Sequence, residues 1–111
     1  MATGTTGTRD ARLEAGRLEI RPNEHAALVD GRPLRLTVRE LQLLITLAEH
    51  PQRIMTRDEL FAAVWHGRPR RDDRSVDVYV SRLRAKLSEV LPGMTLIHTH
   101  NGIGYRFSPD G

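Results

Sequence analysis

The sequence predicts an α+β fold with an N-terminal antiparallel sheet, three helices and a C-terminal β-hairpin. Three observations predict it. Short apolar runs flank an Asp30-Gly31 pair, two Thr-x-x-Glu motifs open apolar stripes of helical period, and Asn101-Gly102 stands between two further strand-like runs. The 111 residues suffice for one domain with one modest core.

Residues 1–16 are polar and rich in Gly and Thr, without an apolar period, and are expected to form a disordered tail or linker. The domain is expected at 17–108, with 109–111 a short tail. Leu18 and Ile20 alternate with charged residues, as in a half-buried strand. Residues 26–29 and 33–36 flank Asp30, Gly31 and Arg32, a hairpin signal because Gly accepts the positive φ such a turn needs. Thr37 and Glu40 then have the spacing of a capping box, followed by Leu41, Leu44, Ile45 and Ala48 at helical spacing. Pro51 ends that helix. A second box, Thr56 and Glu59, precedes Leu60, Phe61, Val64 and Trp65. Two helices joined by residues 50–55 fit a helical hairpin. Residues 66–71 form a loop, and residues 95–99 and 104–107 flank a turn at Asn101-Gly102.

The third helix, at about residues 73–89, has a competitor. Val76, Val78 and Val80 alternate, and β-branched residues favour strands. Helix wins because Val76, Val80, Leu83 and Leu87 follow a helical spacing that places them within a sector of about 60°. Opposite them fall Arg74, Val78, Ser81, Arg82 and Ala85. Asp72 or Asp73 is expected to cap this helix, and Pro92-Gly93 stops it.

Charge is concentrated on the same element. Residues 1–67 carry nine Arg against nine acidic residues, whereas residues 68–86 carry seven basic residues against Asp72, Asp73 and Asp77, a net +4. A clustered excess of this kind is the footprint of a polyanionic partner, its competitor being a solvated charged face. An α-helix enters the major groove of B-DNA when small residues allow close approach, and Val78, Ser81 and Ala85 meet that need. Arg82 is placed for paired hydrogen bonds to guanine, and Val78 for a thymine methyl. Arg74, Ser75, Tyr79, Arg84 and Lys86 are placed for phosphates on the groove walls. Tyr79 also fits a packing role. Asp77, acidic on a basic helix, is expected to be structural, bonding a backbone amide or orienting Arg84.

Three stretches carry a family resemblance: LRLTVRELQLLITLAEHPQRIMTRDELFAAVW at 34–65, RSVDVYVSRLRAKL at 74–87 and THNGIGYRF at 99–107. With the leading strands they cover about residues 17–107, and the chain resembles the C-terminal effector domain of OmpR/PhoB-type response regulators. The resemblance implies a winged helix-turn-helix: a four-stranded N-terminal sheet, three helices and a hairpin wing at 95–107. It implies that the third helix reads the major groove of double-stranded DNA, that the wing approaches the minor groove, and that the protein regulates transcription in a two-component system. It implies DNA contacts at Arg74, Ser75, Val78, Tyr79, Ser81, Arg82 and Arg84, and at Thr99 and Asn101 in the wing. It also implies that the loop before the third helix, with Arg68, Arg70 and Arg71, touches RNA polymerase, and that protomers pair on repeated half-sites. Asn101 stands where relatives often place Arg, and Ser81 where some have a basic residue. Family members usually carry a receiver domain ahead of this one. None lies within these 111 residues, so the expectation is an isolated domain or a regulator controlled another way.

Other function classes find less support. No apolar run approaches the roughly 20 residues of a membrane span, and residues 1–16 hold no apolar stretch of the signal-peptide kind, so a cytoplasmic protein is expected. Cysteine is absent, which excludes a disulfide framework and a Cys-based zinc site. No metal site is expected from the five His, no cofactor is expected, and Gly102 and Gly104 fit a hairpin rather than a nucleotide loop. No nucleophile with its base and orienting group is identifiable, so an enzyme is not expected. The competing function is a winged-helix interaction module that docks on RNA polymerase or another acidic partner.

Overall fold

A computed structural model describes residues 13–109. Strands β1 (Leu13–Ala15), β2 (Leu18–Arg21), β3 (Ala26–Val29) and β4 (Arg32–Pro33) form an antiparallel sheet in sequence order. Ala15, Leu18, Ile20, Ala27 and Val29 point inward and are buried. Asp30 and Gly31 both have positive φ, +52° and +81°, the two-residue hairpin turn whose twist matches the flanking strands. Arg17 crosses this turn to Asp30 at 2.6 Å.

Strand β1 corrects the expected domain start. Leu13–Ala15 pairs with β2, placing a sheet strand inside the span read as a tail. Three residues are too few to carry a period against a polar background. The remainder of that expectation, residues 1–12, lies outside the described residues, as do 110 and 111.

Helix α1 (Val38–Ala48) begins with the expected capping box. Thr37 Oγ1 accepts the Glu40 amide at 3.2 Å, and the Thr37 amide donates to Glu40 Oε1 at 2.9 Å. Helix α2 (Arg57–Trp65) has the same arrangement between Thr56 and Glu59. Between the two lies strand β5 (Ile54–Thr56), where a plain connection is expected from sequence. His66, at φ +61°, ends α2 in the left-handed region and donates its amide to the Ala62 carbonyl at 3.1 Å.

Helix α3 (Ser75–Val90) leads to the hairpin β6 (Ile97–His100) and β7 (Gly104–Phe107), and the second sheet has the order β5-β7-β6. The hairpin turn places Gly102 at φ +78°, with the Ile103 amide bonded to the His100 carbonyl at 2.9 Å. At Gly104 a side chain has no room, because a Cβ there would lie 1.9 Å from the Met55 carbonyl oxygen on β5. This close approach closes the second sheet. Both sheets and all three helices meet in one core that includes Leu43, Leu44, Leu47, Leu60, Leu83 and Phe107. Among the described residues, no helix is long and apolar enough to cross a membrane.

Candidate nucleic-acid interface

Helix α3 has the two faces its spacing predicts. Val76, Val80, Leu83 and Leu87 are buried, while Arg74, Val78, Ser81, Arg82 and Ala85 are exposed. Val78, at 42% exposure, is one of three large hydrophobic side chains exposed among the described residues. Arg74 occupies the N-cap position without a capping side chain. Asp73 does that work, its Oδ1 accepting the Ser75 amide at 2.7 Å. Hydrogen bonds from Ser75 hold the Asp73 carboxyl below its ordinary value.

Asp77 is structural, as expected, but its partners differ from those expected. It accepts Arg57 Nε at 2.8 Å and the Tyr105 hydroxyl, rather than a backbone amide or Arg84. Burial pushes the Asp77 carboxyl up, and the bonds from Tyr105 and Arg57 outweigh it, leaving the group below the ordinary carboxylate range. Burial, and then the bond to Asp77, pushes the Tyr105 phenol up. This joint ties α2, α3 and β7 together at the start of α3.

Three expected DNA contacts take part in internal bonds. Arg84 Nη2 donates to the Ile97 carbonyl at 3.0 Å and to Thr99 Oγ1 at 2.5 Å, and its guanidinium lies 5.4 Å from the Tyr105 ring centre. Arg84 and Thr99 therefore brace the hairpin against α3. Lys86 is the third. Its Nζ lies 2.6 Å from Oε1 of Glu40, which is 1% exposed, so its charge faces α1 while the side chain stays partly exposed. Sequence spacing placed Lys86 on a flank; the buried acid across the core decides its direction.

Tyr79 packs edge-on against Trp65, with ring centres 5.2 Å apart at 78°, and Trp65 stacks on Phe61 at 5.2 Å and 15°. Arg82 lies over Tyr79 at 5.2 Å, and Arg39 over Trp65 at 5.1 Å. Sequence reasoning missed Trp65, Arg39 and Arg57 as part of this surface. Phe61 and Trp65 are four residues apart in α2 and signal a stacked pair; nothing in the spacing signals Arg57 with Asp77.

At the hairpin tip Asn101, Gly102 and Ile103 are exposed. Arg106, on β7, is drawn sideways, donating to His100 Nε2 at 3.0 Å and Gln52 Oε1 at 2.9 Å. Arg68, Arg70 and Arg71 are exposed in the loop before α3, and none forms an ion pair among the described residues.

The family described as "Transcriptional regulatory protein, C terminal" matches residues 31–107. The chain is 38% identical over 102 residues to the phosphate regulon transcriptional regulatory protein PhoB of Pseudomonas aeruginosa, covering 92% of this chain and 44% of that protein. It is 40% identical over 96 residues to the transcriptional regulatory protein SrrA of Staphylococcus aureus, covering 86% and 40%. The chain thus spans less than half the length of these relatives. Among solved structures, the DNA-binding domain of CpxR from E. coli superimposes with a TM-score of 0.79 at 33% identity, covering 87% of this chain and 95% of that one. The Klebsiella pneumoniae RstA DNA-binding domain in complex with the RstA box also gives 0.79 at 33% identity, covering 89% and 98%. The order of sheet, three helices and hairpin, with these matches, places the fold as a winged helix, and the chain belongs to the OmpR/PhoB-type family of transcriptional regulatory protein C-terminal domains.

Proposed function

We propose that this domain binds double-stranded DNA sequence-specifically to regulate transcription, with α3 in the major groove and the hairpin near the minor groove. The outer face of α3 carries the proposal: exposed Arg74 and Arg82 flank Val78, Ser81 and Ala85, side chains small enough to let the helix approach base edges. Arg82 reads a guanine, Val78 meets a thymine methyl, and Ser81 supplies a small polar contact. Arg74, Ser75 and Tyr79 meet phosphates. Asn101, exposed at the tip, approaches the minor groove without a charge. The RstA domain, similar over nearly its whole length, is solved in complex with the RstA box.

The domain acts as a binding module rather than an enzyme, in the cytoplasm. RNA polymerase is a second partner, met by the exposed Arg68, Arg70 and Arg71, and a second protomer sits on a repeated half-site. The test is selection of duplexes from a random pool, followed by a salt titration on the recovered sequence. Affinity falls steeply with salt in this account, because phosphate contacts release counterions; salt-independent binding contradicts it.

A further inference from the structure

We infer that Arg39, on α1, is a backbone-phosphate contact of this domain, held in place by the ring of Trp65. The inference rests on the assignment of α3 as the groove-facing helix. Arg39 is exposed and its guanidinium lies over Trp65, with no carboxylate or carbonyl partner among the described residues. The acid next to it in sequence, Glu40, is turned inward and takes Lys86 and the Thr37 amide. Two other arginines at α3 are engaged inside the protein, Arg57 with Asp77 and Arg84 with the hairpin. Arg39 thus keeps an unneutralised charge on a fixed platform.

The platform is continuous with the groove-facing helix. Trp65 meets Tyr79, and Tyr79 carries Arg82. Steps of 5.1, 5.2 and 5.2 Å therefore link the Arg39 guanidinium to the Arg82 guanidinium. That bounds their separation at a distance comparable to the roughly 12 Å width of the major groove. With Arg82 in the groove, that bound keeps Arg39 within reach of the phosphate strand along its edge. A guanidinium lying on a ring keeps its N–H edge free, and that edge matches a phosphate in paired fashion. Its orientation on the ring also lessens the freedom lost on binding.

The experiment compares wild type, Arg39→Gln and Arg39→Lys on a duplex recovered from a random pool by the wild-type domain. Affinity is measured across a salt series, with base-substituted duplexes and thermal melting alongside. For Arg39→Gln the slope of log affinity against log salt becomes shallower by about one, with base preference and melting unchanged. Arg39→Lys keeps the wild-type slope. A wild-type slope and affinity in Arg39→Gln overturns the inference, as does an altered base preference, while leaving the groove assignment of α3 standing. Equal loss of slope in both variants also supports the contact and assigns it to the paired guanidinium edge held on the ring rather than to charge alone. Failure of the wild-type domain to enrich any duplex removes the groove assignment itself, and Arg39 with it.

Discussion

The ammonium of Lys86 on α3 stands 2.6 Å from the carboxylate of Glu40, which is buried at the start of α1. Glu40 also closes the capping box of α1, so one side chain serves the helix start and the docking of α3. Burial alone pushes this carboxyl up; the bonds from Lys86 and from the Thr37 amide outweigh it and hold it below its ordinary value.

Replacing Lys86 by Met leaves Glu40 buried without its cation. Breaking a buried pair costs about 3–5 kcal/mol, and the partial exposure of Lys86 reduces this to about 1–3 kcal/mol. Urea unfolding is the measurement. The double variant Lys86→Met, Glu40→Gln recovers part of the loss, because no uncompensated charge remains.

Acid destabilises the fold through two sites in particular. Glu40 and Asp77 both have folded pKa values below their ordinary ones. Their contribution is complete above the ordinary carboxylate range near pH 4 and is lost as pH falls through the lowered folded values. Tyr105 is shifted the other way, so its contribution holds below about pH 10 and is lost as pH rises through the raised value. Melting temperature against pH falls at both ends, and Asp77→Asn flattens both limbs.

Gly104→Ala forces β5 and β7 apart, because the new methyl group would collide with the Met55 carbonyl. The expected cost is about 1–3 kcal/mol, the range for overpacking a close contact. Equilibrium unfolding checks it, and a neutral result would mean that β5 yields without loss. In contrast, Ala substituted at Ser81, on the exposed face of α3, leaves stability within about 0.5 kcal/mol of wild type.

Much of this architecture is legible in the sequence where the signal is local. Thr37 with Glu40 and Thr56 with Glu59 mark both capping boxes, and the spacing of Val76, Val80, Leu83 and Leu87 orients α3 against a competing strand pattern. Strands β1 and β5 are three residues each, too short for a period, and are defined by partners elsewhere in the chain. The directions of Arg84, Lys86 and Asp77 depend on Thr99, Glu40, Arg57 and Tyr105, all distant in sequence. Helical periodicity assigns those three side chains to flanks of α3, and only tertiary contacts say which of them remain available at the surface. Arg82, Ser81 and Val78 needed no such contacts to be placed, since they lie opposite the buried stripe.

Arg82→Ala tests the central claim most directly. On a duplex recovered by selection with the wild-type domain, the account predicts that specific affinity weakens by about 1–3 kcal/mol and that preference relaxes at one base pair. Full affinity with unchanged base preference in that variant would contradict the assignment of α3 as the DNA-reading element.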